Sequence, residues 1–206
     1  MNDTIITKGE ATRARIIEAA YQLFMQQGFH GTSMRQIVEK AGITMGGIYT
    51  HFASKEAIWE AVFMAKHPYH EILALLAQAG GDTVGDFLKQ AAGLVVSGLG
   101  QRQDLLNLLF TELVEFNGKH LSTVYFEALP ELISLGQMVT QKRGKLRSVP
   151  LPILARSFAG LFFSYYITEQ VLPEEALAFM GNHALEAFVD IYLYGILAEP
   201  AEAQNG

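Results

Sequence analysis

Cysteine is missing from all 206 residues. Its absence excludes disulfides, thiolate catalysis and cysteine-bound zinc, and it fits a reducing compartment. Charge is sparse as well: only 17% of residues are charged, against 50% hydrophobic. A chain of that balance can bury a sizeable core and is not disordered as a whole. The opening "MNDTIITKGE" has no apolar stretch behind a basic one, so no signal peptide is read there. A membrane helix needs about 20 apolar residues. The most apolar run, "SFAGLFFSYYIT" at 157–168, is closed off by Arg156 and Glu169, so no span is expected and the chain is placed in the cytoplasm.

Motifs of catalysis are wanting too. "GGDTVGD" lacks the Lys-Ser/Thr end of a phosphate loop, and no serine, histidine and acid fall into a recognisable nucleophile–base pattern. No enzyme and no cofactor is therefore expected. His67, His70 and Glu71 lie near one another, but Pro68 intervenes, and no metal site is read there. Nothing repeats at a fixed period, and the period-2 alternation of strands is absent.

What remains is helical periodicity. In a first helix over 11–27, Ile16, Ile17, Ala20, Leu23 and Phe24 recur on one side, with Arg13, Arg15, Glu18 and Gln22 on the other. Gly28 ends it. Thr32 caps a second, short helix that buries Ile37, Val38 and Ala41 and stops at Gly42. Thr44 caps a third of about two turns. Ser54 starts a fourth, with Glu56 in its first turn. Longer helices follow at 55–78 (bent near Pro68), 82–99, 103–117, 119–146, 151–171 and 174–197. The expected fold is all-α, with a helix-turn-helix head at 11–58 between a flexible arm at 1–10 and a larger helical domain at 59–197. The low-complexity end, 198–206, reads as a frayed tail.

The net charge is −6. Lys8, Arg13, Arg15, Arg35, Lys40 and Lys55 are balanced by six acidic residues within 1–60, so the excess of acid lies beyond the head. Any surface for nucleic acid must be local and N-terminal, because binding phosphates requires clustered cations.

"AGITMGGIYTHFASKE" at 41–56 carries the pattern that matters most. On a helix turning about 100° per residue, Ile48 and Phe52 share the buried side, while Gly46, Gly47, Tyr49, Thr50 and His51 occupy the opposite arc. Met45 stands beside the core arc. The outward face thus offers no bulk at two positions, then two hydroxyls and an imidazole. A helix laid in the major groove needs short side chains where its backbone approaches DNA, and Tyr and His donate to phosphate oxygens. Two helices joined by the tight "AGIT" turn match a helix-turn-helix, whose second helix reads the groove.

Residues 15–58, about a fifth of the chain, extend that match. Apolar pairs, "GF" followed by "TS", "AGIT" with a glycine two residues after the threonine, then "IY", "HF" and "SKE" run in continuous spacing. This stretch resembles the DNA-binding domain of the TetR/AcrR family of bacterial transcriptional regulators. The resemblance implies phosphate contacts from Tyr49, His51 and Lys55, and from Thr32 or Ser33. It implies a groove-facing set of Thr44, Met45, Gly46, Gly47 and Thr50, with Arg35 at a base or phosphate and Lys8 near the adjacent phosphates. Family members often carry larger polar residues where Met45 and Gly47 stand, so direct base reading is expected to be sparse, with weight on thymine methyls and DNA shape.

The resemblance further implies a homodimer on a palindromic double-stranded operator, a small-molecule effector and a C-terminal pair of helices forming the dimer interface. Phe158 and Tyr165 on one apolar helix, and Ala184, Phe188, Ile191 and Tyr192 on the next, are the interface candidates; internal core accounts for them equally. Phe110, Glu112, Glu115, Phe116, Tyr125, Phe126, Phe162, Phe163 and Tyr166 mix aromatics with acids and would suit a lipophilic effector, cationic or neutral. Core aromatics and solvated glutamates are the other account. Two rivals to a ligand-released repressor stay open: the same head answering to a protein partner or organising chromosomal DNA, and a helical enzyme.

Overall fold

The computed structural model describes residues 7–196 other than Gln101, Gln103, Lys145 and Asn182, so most of the arm and the whole tail lie outside the described residues. The described residues form eleven helices and no strand, apart from one isolated parallel bridge between Thr83 and Arg143. None of the helices is long and apolar enough to cross a membrane. The chain divides into two compact units, one from Met1–Pro68 with Gln103–Phe126 and the other from Tyr69–Arg102 with Glu127–Gly206.

The first unit holds α1 (Lys8–Gly31), α2 (Met34–Ala41), α3 (Met45–Tyr49), α4 (Lys55–Lys66), α7 (Asp104–Phe116) and the start of α8 (Lys119–Thr140). Helix α1 begins three residues before the expected start. The Thr7 hydroxyl accepts from the Glu10 backbone N–H and the Glu10 carboxylate accepts from the Thr7 N–H, a capping box that satisfies two otherwise orphaned donors. At Gly28 the backbone adopts φ +76°, which only glycine reaches cheaply. The chain turns there, and Phe29 packs back against Phe24, Trp59 and Phe116.

α7 belongs to the head's own unit. The core is built around Trp59 on α4, fully buried, whose ring stacks on Phe116 at 5.5 Å with only 4° between planes. Its indole N–H donates to Glu112 Oε2 at 2.9 Å. Glu112 is itself fully buried and also receives the backbone N–H of His120 at 2.8 Å and its Nδ1 at 2.9 Å. A carboxyl group taken out of water is tolerated only when its oxygens are this completely engaged. Two further acids on α7 reach α1: Asp104 accepts from the Tyr21 hydroxyl, and Glu115 pairs with His30 Nε2 at 2.6 Å.

The second unit comprises α5 (Tyr69–Gln78), α6 (Val84–Leu99), the rest of α8, α9 (Leu151–Val171), α10 (Glu174–Met180) and α11 (Ala184–Ile196). Its core centres on Val84, Phe87, Leu88, Ala91 and Ala92 of α6, with Leu154 of α9 and Val189 and Leu193 of α11. Gly98 lets α5 approach closely, since a Cβ there would stand 2.6 Å from Leu75 Cδ1. The expected long helix at 55–78 is broken at His67–Pro68 rather than bent. The expected helix at 174–197 is interrupted at Gly181, where φ is +76°.

Candidate nucleic-acid interface

Helix α2 is started by Ser33, not by the neighbouring Thr32. Ser33 Oγ accepts from Gln36 N while Gln36 Oε1 accepts from Ser33 N, a second capping box. Thr32 closes α1 instead: it is only 2% exposed, and its hydroxyl donates to Gly28 O at 2.9 Å. Helix α2 ends at Gly42 in the left-handed region (φ +63°, ψ +44°), where the N–H groups of Gly42 and Ile43 return to Glu39 O and Val38 O. That turn aims the next helix. Thr44 Oγ1 accepts from Gly47 N at 3.1 Å and starts α3.

The two sides of α3 divide as its periodicity requires. Ile48 is fully buried and Phe52, just past the helix, is 5% exposed. Met45 at 44% and Tyr49 at 54% stand in solvent, and Thr44, Gly46 and Thr50 are exposed with them. Gly47 and His51 are half-buried. Thr50 donates its hydroxyl to Gly47 O at 2.7 Å. The two glycines differ in what they permit. A Cβ on Gly47 would lie 3.1 Å from the capping Thr44 hydroxyl, whereas a Cβ on Gly46 would meet nothing within 4 Å. Internal packing therefore does not account for the missing side chain at Gly46.

On α2, Ser33 and Arg35 are exposed. Lys55 is turned inward: its Nζ donates to Phe29 O at 2.7 Å and Thr32 O at 2.8 Å, and lies 4.3 Å from the Phe29 ring centroid. It thereby ties the start of α4 to the end of α1. Ser54 Oγ accepts from Ala57 N to cap α4, and Glu56 in its first turn is held below the ordinary carboxyl range by its own backbone N–H and by Ser54.

The even sum of charges in the head conceals an uneven use of them. Glu18 is paired with Lys66 at 2.7 Å, which lowers its pKa, and Glu10 is engaged in the α1 cap. Arg13, Arg15, Arg35 and Lys40 form no ion pair among the described residues. A groove of about 520 Å³ opens between α1 and α4, lined by Arg13, Ile17, His51, Phe52, Glu60 and Met64 among others.

The other candidates fall into separate groups. Glu112, Glu115 and Phe116 share a face of α7 and are joined to α4, α1 and His120 as described. Phe110, Tyr125 and Phe126 are exposed on the same unit. Phe162, Phe163 and Tyr166 lie on α9 in the second unit, where Phe162 packs at the edge of the core and Tyr166 donates its hydroxyl to Arg102 O at 2.5 Å. Among the interface candidates, Phe158 packs against Phe162 and Tyr192, and Tyr165 against Phe188. Ala184 is half-buried, and Ile191 is 73% exposed. The sequence reading passed over Trp59, although a lone tryptophan four residues before Phe63 in an apolar helix already marks a core anchor. It also missed the stacking of Arg13 on Phe52.

Residues 16–62 match the model of bacterial regulatory proteins of the tetR family. An uncharacterized helix-turn-helix transcriptional regulator of Bacillus subtilis, YvkB, is 25% identical over 91% of this chain and 98% of its own length. The regulator UidR of Escherichia coli is 41% identical over 31% of this chain and 33% of its own length. Among solved structures, Salmonella enterica GusR superposes with a TM-score of 0.69 at 22% identity, covering 92% of this chain and 97% of GusR.

Proposed function

The chain belongs to the TetR family of bacterial regulatory proteins through its head at residues 16–62, and from that premise we propose a homodimeric repressor acting in the cytoplasm. Each head sets α3 in the major groove of one half of a near-palindromic operator, and a lipophilic small molecule bound by the body helices releases the DNA. The observation that carries this reading is the outward arc of α3. Met45, Gly46, Tyr49 and Thr50 are exposed while Ile48 and Phe52 are buried, and nothing inside the fold requires Gly46 to lack a side chain. Tyr49, Thr44 and Arg35 supply donors for phosphates and base edges, and Met45 supplies an apolar contact for a thymine methyl.

Two heads are required because one α3 of five residues offers too few base contacts for specific binding. The second unit supports the pairing. Ile153, Phe163 and Val171 on α9, Phe179 and Met180 on α10, and Ile191 and Tyr194 on α11 are all exposed, apolar side chains that a second copy would take out of water. Release follows as a population shift: an effector that binds the DNA-incompetent arrangement more tightly draws the dimer toward it.

Selection of bound duplexes from random DNA tests the reading. The expected product is a near-palindrome whose half-sites lie about 34–36 Å apart, one helical turn or a multiple of it. Enrichment of single, unpaired half-sites would overturn the dimer, and recovery of no duplex at all would overturn the DNA reading.

A further inference from the structure

We propose that Arg13 is a second backbone grip, outside the helix-turn-helix, which carries the DNA-facing surface of the head onto α1. The inference rests on the reading of the head as DNA-binding. The Arg13 guanidinium carbon lies 4.9 Å from the centroid of the Phe52 ring. Phe52 is 5% exposed, and its backbone N–H bonds to Ile48 O at 2.9 Å, so the ring is a shelf fixed by the end of α3 itself. A guanidinium stacked on an aromatic face keeps its in-plane N–H donors available, and their fork matches the oxygens of a phosphate.

Those donors are not taken up internally. Arg13 is exposed and makes neither an ion pair nor a hydrogen bond among the described residues. The acid lining the same groove, Glu60, lies 3.8 Å from His120 Nε2 instead. His51 lines that groove beside Phe52, so the end of α3 and the second turn of α1 present an imidazole and a guanidinium together. The bond from Phe52 N to Ile48 O places Phe52 about one helical turn past Tyr49, which puts the guanidinium within about 15 Å of the Tyr49 backbone. Phosphates on one strand advance about 3.4 Å along the axis, so this distance spans only a few of them. An exposed, unpaired cation seated on a ring beside the groove-reading helix fits a diester phosphate flanking the bases that the helix covers.

The test measures affinity for the selected operator and for a random duplex between 50 and 200 mM salt, with wild type, Arg13→Gln, Arg13→Lys and Arg15→Gln. Arg15 stands about 200° around the helix from Arg13, away from the Phe52 shelf. Arg13→Gln should weaken both duplexes alike, by about tenfold. It should also reduce the slope of log affinity against log salt by about 0.9, the contribution of one neutralised phosphate. Arg13→Lys, which keeps stem and charge, should keep most of the slope, and Arg15→Gln all of it. An unchanged slope in Arg13→Gln overturns the proposal. So does an equal loss in Arg15→Gln, which would mark a diffuse charge effect. If wild type bound no duplex the underlying DNA reading would fail; if wild type bound and Arg13→Gln bound equally well, only this inference would.

Discussion

Gly46 and Gly47 are neighbours with different reasons for being glycine. At 47, any side chain would press on the hydroxyl that caps α3; at 46, a side chain has open space. The sequence shows two weak helix formers in a five-residue helix and cannot tell which one the fold demands, because that depends on where the Thr44 hydroxyl sits. Gly46→Ala should therefore stabilise the chain by about 0.5–1 kcal/mol, the ordinary advantage of alanine in a helix, while weakening operator binding. Urea denaturation and a binding titration on the same sample check both halves; unchanged affinity would remove Gly46 from the interface. Glu112 poses the opposite case. It was legible as an acid on an apolar helix, but its burial was not, since the donors that make burial tolerable come from residues 59 and 120. Glu112→Gln leaves one acceptor oxygen where donors converge on two, and should cost about 1–3 kcal/mol in chemical denaturation.

Helix starts were the most legible elements. Thr44 and Ser54 cap where expected, and Gly42 stops α2 where expected, through a left-handed turn. Adjacent Thr32 and Ser33 defeated the same rule. Either hydroxyl could cap, and Ser33 does so because Gln36 is three residues ahead of it to close the box. The interruption at Gly181 was not legible, since an isolated glycine in a helical pattern is often tolerated. The caps give the elements a shared response to acid. Glu10 is lowered by the Thr7 backbone and hydroxyl, Asp86 by the Thr83 hydroxyl and backbone, and Glu56 by its own N–H and Ser54. Folded values below the unfolded ones mean that this stabilisation is complete above about pH 4–5 and lost as pH falls through the lowered values. Helical ellipticity at 222 nm, followed downward from pH 7, should hold until about pH 4 and then decline; a decline beginning near pH 6 would point to histidines instead.

At the scale of the whole molecule, the all-α class and the place of the head were legible, because a 3.6-residue period and a continuous motif are local properties. Which unit a helix joins was not. The face of α7 is written in its sequence, but its neighbours Trp59, Tyr21 and His30 are set by tertiary packing, and acids that read as a pocket lining proved to be joined to the head. The apolar residues of α9–α11 were legible as a stripe, while the structure separates those packed internally, such as Phe158, from those in solvent, such as Ile191. Ile191→Lys should yield a monomer with unchanged helical content and no specific operator binding, read by sedimentation velocity and a gel-shift titration. A dimer that persists in Ile191→Lys would move the interface elsewhere. One further property comes from the seam between α4 and α7. Trp59 is the chain's single tryptophan, and its indole sits between a phenyl ring and a carboxyl acceptor, out of contact with water. Excited on the red side of the absorption of the eight tyrosines, the unlabelled chain therefore emits from that one place, and any loosening of α7 from the head will register as a change in its wavelength and lifetime.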